Sequence, residues 1–205
     1  MFFLRLFLIF INLISVVSAQ KYVDRNIFEV CYSEKKQQPI WLKYVVQCDS
    51  SHYSRKSMYF KKDTSSIITS DANDYYNNIW DKGHLAPAAH FACDYTDLSS
   101  TFNYLNCALQ HKDLNRGPWK SLEIFERKIS KNYHVECRVE LKFDNNSLQL
   151  ETGAFVPSYF LKILSYNNIQ KAFLFPNNSS VKGKNWSIYE VKDYIINEAC
   201  EELSY

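Results

Sequence analysis

No strong excess of either charge sign runs through this sequence. Its 24 Lys and Arg stand against 22 Asp and Glu, for a formal net charge of +2. A surface that attracts polyanions on every side is thereby excluded, so any phosphate-binding ground must be a local patch. No CxxC pair is present, which argues against a zinc ribbon. No repeat and no Gly/Ser-rich or Pro-rich linker interrupts the chain, so nothing marks a domain boundary. Beyond residue 19 no apolar run approaches the ~20 residues that a membrane-spanning helix needs.

The first nineteen residues carry one positive charge at Arg5, an apolar stretch over 6–17 broken by Asn12 and Ser15, and small residues at Ser18 and Ala19. That three-part order predicts a secretory signal peptide cut near Ala19. Residues 20–205 then form a single domain of a size that can bury a sizeable core. The expected product is secreted and soluble, with no stable membrane association. Six cysteines lie beyond residue 19: Cys31, Cys48, Cys93, Cys107, Cys137 and Cys200. An even number in an exported chain predicts disulfides, with the pairing left open. N-x-Ser/Thr sequons begin at Asn145, Asn177, Asn178 and Asn185, and any that carry glycan must face solvent.

Pattern reading gives strands at 40–48, 57–62, 101–109, 135–143, 148–155 and 172–175, where aromatic and β-branched residues concentrate. The stretch 63–78 is rich in Ser, Thr, Asp and Asn and reads as loop. Gly83 and Pro87 exclude an unbroken helix over 79–91, so an extended segment ending near His84 is expected. The best helix covers 114–130, with Pro118 in its first turn. There Trp119, Leu122, Phe125 and Ile129 fall on one face, and Glu123, Glu126, Arg127 and Lys128 take the other positions. A closing helix is expected over 188–203. Strands and helices interleave without a βαβ rhythm, so the fold class is α+β.

Polar residues cluster along this order: Asp81-Lys82-Gly83-His84, then Asn106, Gln110, Asn115 and Glu123. Hydrolysis of a phosphodiester needs a base that is neutral near pH 7, for which histidine is the natural side chain. It also needs positive charge at the phosphoryl and leaving oxygens, which Mg²⁺ or Mn²⁺ can supply. Such ions take oxygen ligands and keep several waters. One amide oxygen at Asn115 suffices when phosphate completes the shell, and Glu123 can accept hydrogen bonds from metal-bound water. Lys82 adds positive charge beside the phosphate. Two basic stretches could reach it, one with Arg55, Lys56, Lys61 and Lys62, the other over 112–131.

Each residue also has a plainer reading. A lone histidine is usually structural, and His52, His90, His111 and His134 are so assigned. A His84/His90 zinc pair finds no completing cluster. Cys107, beside Asn106, reads as a half-cystine before it reads as a nucleophile.

Residues 81–91 (DKGHLAPAAHF) resemble the DRGH-type motif of the DNA/RNA non-specific endonuclease family, the relatives of endonuclease G. Asn106-Cys-Ala-Leu-Gln110, Leu114-Asn115, Trp119 and Leu122-Glu123 follow in the family's order. Looser similarity continues through Val156–Phe160, Lys171–Pro176 and the segment from Glu190. The resemblance implies a ββα-metal fold built on a mostly antiparallel sheet. It implies His84 as general base, Asn115 as ligand of one Mg²⁺ or Mn²⁺, Glu123 acting through water, and Asn106 orienting the water network or the base. Lys82 stands where the family has arginine, and Arg55 is the expected upstream phosphate contact, with Lys56 as the alternative. DNA and RNA are the implied substrates and 5′-phosphorylated oligonucleotides the products. Lys82 lacks the planar fork of arginine, Leu109 replaces a proline, and a T-G-P element after the helix is missing. A nuclease-derived binding protein with impaired catalysis is therefore the second reading.

Overall fold

The computed structural model describes residues 20–50, 52–145, 147–198 and 200. The expected signal peptide lies outside the described residues. Among those described, no helix is long and apolar enough to cross a membrane.

Two antiparallel units make up the fold. The larger is a seven-stranded sheet of β1 (Gln20–Arg25), β2 (Phe28–Ser33), β3 (Gln38–Val45), β6 (Glu136–Lys142), β7 (Tyr159–Tyr166), β8 (Ile169–Pro176) and β9 (Glu190–Val191), in that spatial order. Between β3 and β6 the chain leaves the sheet to build the smaller unit. Here β4 (Trp80–His84) pairs with β5 (Cys107–His111), and α1 (Tyr95–Ser100) lies in the connection between them. After β5 come a single turn, α2 (Lys112–Leu114), a wide turn at Asn115–Trp119, and α3 (Lys120–Ser130). Two strands followed by a helix, set against an antiparallel sheet, constitute the ββα arrangement of the expected α+β fold.

Alternation on the large sheet explains how the layers meet. Leu42 and Tyr44 of β3, Cys137, Val139 and Leu141 of β6, and Phe160 and Leu164 of β7 point to one face. Leu85, Ala86, Phe91, Leu105, Ala108, Trp119 and Leu122 come down from the ββα unit to complete the same core. Trp119 is fully buried between Phe160 and Phe175, edge-on to both. On the opposite face Leu161, Ile163 and Ala172 are covered by Val191 and Tyr194.

Several expected elements take another form. The helix over 114–130 is interrupted: Gly117 has non-helical angles (φ −106°, ψ −116°) and Pro118 follows, so regular helix begins at Lys120. Pro118 cannot donate to the preceding turn, and the glycine absorbs the change of direction. Residues 101–106 form turns, and the strand there begins only at Cys107. The segment 57–62 contributes one bridge, Lys61 to Asn103, and 148–155 one bridge, Gln149 to Phe155. The closing helix is absent among the described residues, because Glu190–Val191 adds an edge strand to β8 instead.

Two disulfides form, Cys31–Cys200 and Cys48–Cys93, while Cys107 and Cys137 are free and buried. Cys107 hydrogen-bonds the Tyr75 hydroxyl at 3.2 Å, and burial raises its pKa to about 12. It is neither the half-cystine expected from the sequence nor a usable nucleophile. Asn177 also departs from expectation. Its side chain is buried, donating to the carbonyls of Leu109 and Pro157 and accepting from His111 N–H, which leaves no room for a glycan. Asn145, Asn178 and Asn185 are exposed.

Candidate active site

One cleft of about 730 Å³ opens where β4, the wide turn, α3 and the loop carrying Arg55 converge. His84 and Asn115, which come from different elements, both line it, as do Arg55, Lys82 and Glu123. Lys82 and His84 are two residues apart on β4, so they share a face of that strand. Between them Gly83 lies against the side chain of Gln110, and a Cβ at position 83 would fall 2.6 Å from the Gln110 Cβ. Glycine is required there by close approach of the paired strand.

His84 is packed between rings. Phe60 lies 4.6 Å away centroid to centroid, and Phe102 lies 4.9 Å away edge-on. Its Nε2 is shielded from solvent and has no hydrogen-bond partner. Burial first, and the charge of Arg55 second, lower its pKa to about 3. The imidazole is therefore neutral at physiological pH.

Asn115 is oriented by a carboxylate. Its Nδ2 donates to Asp81 Oδ2 at 2.9 Å, and Arg116 grips the same carboxylate with Nε and Nη2 at 2.8 and 2.6 Å. With the amide nitrogen so occupied, the amide oxygen is the atom left to serve as a ligand. Burial would raise the Asp81 pKa, but hydrogen bonds from Arg116 and Asn115 outweigh it and the net shift is downward. Glu123 is partly buried at the cleft wall. Burial raises its carboxyl pKa to about 7, with Lys162 opposing the rise.

Among the described residues no group of three His, Cys, Asp or Glu side chains could hold a metal ion by itself. The donors that are present, an oriented amide oxygen with carboxylates close by, fit a hydrated oxygen-seeking cation such as Mg²⁺ or Mn²⁺ and do not fit zinc. Glu123, whose carboxyl is held half-protonated near neutrality by burial, is the kind of group that a nearby cation would ionise.

Asn106 lies elsewhere. It is fully buried, and its amide is spent on backbone: Oδ1 accepts from Ala86 N–H at 2.7 Å, and Nδ2 donates to the carbonyls of Ala86 and Thr101, each at 2.9 Å. It ties the segment after His84 to the chain before β5. Its amide thus faces backbone and not the cleft. Arg55 lines the cleft, and Lys56 is not among its lining residues.

Arg116 and Lys120, not singled out in the sequence, also line the cleft, and so does Arg127, which the sequence placed on the outer side of the helix. Arg116 is the residue next to Asn115, and that adjacency was the available signal. A buried polar cluster beneath α3 was missed as well. Glu126 was expected to face solvent. Instead its Oε1 accepts from Lys162 Nζ at 2.8 Å and its Oε2 from the Tyr44 hydroxyl at 2.8 Å. Neither Glu126 nor Lys162 is exposed at all. His90 joins them, its Nε2 3.2 Å from the Glu123 carbonyl oxygen. Burial lowers the His90 pKa to about 4, so its 3.6 Å approach to Glu126 is a contact of a neutral ring and not an ion pair.

The DNA/RNA non-specific endonuclease family model matches residues 10–205. The chain belongs to that family. The mitochondrial nuclease of Saccharomyces cerevisiae is 30% identical over 116 residues, which is 54% of this chain and 35% of the yeast protein. Nuclease EXOG of Mus musculus is 28% identical over 149 residues, 65% of this chain and 40% of that protein. Human endonuclease G, also mitochondrial by name, is 26% identical over 114 residues, 54% and 38% of the two chains. The chain thus spans well under half the length of these curated relatives. In fold, this endonuclease-family chain superposes on a chain from the crystal structure of the EndoG/EndoGI complex with a TM-score of 0.71. That match covers 83% of this chain and 80% of the other at 20% identity, and it supports the ββα assignment.

Proposed function

We propose that this chain is a divalent-metal-dependent nuclease that hydrolyses phosphodiester bonds of DNA and RNA, leaving 5′-phosphates, and that it works outside the cell. One observation carries the reading: a neutral, desolvated imidazole and an amide whose nitrogen is already committed to a carboxylate open onto the same cation-lined cleft. His84 accepts the proton of the attacking water. Asn115 would offer its amide oxygen to a divalent ion as the direct ligand, and Glu123 would accept hydrogen bonds from that ion's water. A bound Mg²⁺ or Mn²⁺ would supply the positive charge that stabilises the phosphoryl and departing oxygens. Arg55 and Lys82 neutralise substrate phosphates, aided by Lys120 and Arg127. Asp81 fixes the Asn115 amide, and Asn106 fixes the backbone behind His84. Export rests on the leader-like first nineteen residues and is consistent with two disulfides.

One observation favours the second reading, a nucleic-acid binder with weakened catalysis. The Lys82 ammonium lies over the rings of Tyr75 and Tyr104, at 5.7 and 5.5 Å, so part of its charge is engaged within the protein. Incubation of the full chain with plasmid DNA and with RNA, in Mg²⁺ or Mn²⁺ and then in excess chelator, separates the two. Metal-dependent cutting of both polymers is expected. Binding with no cutting in either metal would replace the first reading by the second.

A further inference from the structure

The lining of the cleft is of mixed chemistry. Residues 115–127 line it with charge, whereas Tyr53, Pro87, Ala88, Ala92 and Leu98 line it with apolar surface. Ala88, Ala92 and Leu98 are buried and pack together, whereas Tyr53, on the same cleft lining, has 48% of its surface exposed.

The ring is not loosely placed. Tyr53 packs against Tyr95 with centroids 5.9 Å apart and planes at 72°. The backbone N–H groups of His52 and Tyr53 both donate to the Ala92 carbonyl at 2.9 Å. The Cys48–Cys93 disulfide joins the same two segments. An exposed tyrosine on a surface loop is ordinary. An exposed tyrosine whose segment is tied by a disulfide and by backbone hydrogen bonds at a cleft, with a cleft-lining arginine two residues on, is a prepared contact. Stacking on a base is sequence-tolerant, because every base has a π-face.

We propose that Tyr53, propped by Tyr95, is a stacking platform for an unpaired base, with Arg55 holding the adjoining phosphate, and that the chain therefore prefers single-stranded or locally unpaired nucleic acid to intact duplex. The inference rests on the nuclease reading and specifies its substrate. In a duplex each base is already covered by its neighbours and must be unstacked before it can meet the ring.

The test compares the full chain with Tyr53→Ala and Tyr53→Phe on one oligonucleotide, supplied as a single strand and as a blunt duplex, in Mg²⁺. The ratio of kcat/KM for the single strand over the duplex should exceed one in the parent chain. It should fall about tenfold in Tyr53→Ala, and Tyr53→Phe, which keeps the ring, should restore it. A ratio unmoved by Tyr53→Ala, or lost equally in Tyr53→Phe, would overturn the platform. A second measurement needs no turnover. In chelator, a single strand carrying 2-aminopurine should be quenched on binding the parent chain and Tyr53→Phe, and not on binding Tyr53→Ala. Equal quenching by all three would also overturn it. A parent chain that never cuts would sink the nuclease reading, while the quenching experiment would still decide the platform.

Discussion

At residue 84 the imidazole is enclosed by Phe60 and Phe102, and the surroundings that keep it neutral also make its loss tolerable to the fold. Trimming the ring leaves a small gap at a cleft wall. His84→Ala should therefore lower kcat about 10³-fold, within the range for a general base, while far-UV circular dichroism and the melting temperature change little. Retained turnover would remove His84 from the chemistry. Asn115 makes the complementary prediction. Asn115→Ala removes the oriented oxygen and frees Asp81 from one partner, so half-maximal cleavage should require a much higher Mg²⁺ concentration. An unchanged metal titration would assign the ligand elsewhere. The pattern Asp81–His84 made this neighbourhood visible in the sequence, since alternation alone puts Lys82 and His84 on one face. The commitment of the Asn115 nitrogen to Asp81, 34 residues away, was not visible there, because it depends on how the turn after β5 folds back.

Helix α3 joins the cleft to the core. Glu123 looks into the cleft, while Glu126, one turn on, is sunk among Tyr44, His90, Cys137 and Lys162. A buried ion pair adds little stability in itself, but removing one partner strands a charge without solvent. Lys162→Met should thus destabilise the fold by about 3–5 kcal/mol in urea unfolding, and pairing it with Glu126→Gln should recover much of that loss. Equal and additive losses would mean that the pair is not coupled.

The cleft and this buried cluster together set a pH dependence, with contributions of two signs. His84 and His90 have pKa values lowered to about 3 and about 4. Below the ordinary histidine value of about 6.5 the unfolded chain takes up protons that the folded chain refuses, so stability falls as pH drops. Glu123, raised to about 7, acts oppositely, since its contribution is complete below its unfolded value and is lost as pH rises toward 7. Two protons against one leave a net loss between pH 6.5 and 4.5 of about 1 kcal/mol per pH unit, after allowance for solvent reaching His84 and Glu123. Glu126, whose pKa is lowered against the effect of burial by Lys162 and His90, adds to the loss at lower pH. Urea unfolding from pH 7 to pH 4 would measure the slope, and His90→Gln should flatten it.

Across the whole molecule, the ββα unit is an excursion from the large sheet between β3 and β6, and two covalent ties lie outside the core that joins them. Cys31–Cys200 spans 169 positions of sequence and Cys48–Cys93 spans 45. Loop closure makes the longer one the greater constraint on the unfolded chain, worth roughly 5 kcal/mol if the entropic account holds. The free thiols are sealed in the interior. Alkylation without reductant should accordingly add no label to the folded protein and two labels, at Cys107 and Cys137, after unfolding in denaturant. Mass spectrometry showing no free thiol after unfolding would restore the six-cysteine pairing that parity suggests.

The chain by itself determined the family, the β4 segment ending at His84, the central strands β3, β6 and β8, and the grouping of His84, Lys82, Asn115, Glu123 and Arg55, which line one cleft. Those features are local, because the motif carries its own spacing and the strand patterns repeat every two residues. Tertiary structure decided the rest. Asn106 was drawn inward because Ala86 and Thr101 present backbone groups that burial leaves no water to satisfy. Glu126 was drawn inward because Lys162, 36 residues on, falls on the core-facing side of β7 and brings the countercharge that makes burial of a carboxylate possible. Cys107 and Cys137 stayed reduced because neither came within reach of a partner once β5 and β6 were in place. Each outcome turns on which distant group arrives at a given point in space, and no window along the sequence contains both members of such a pair.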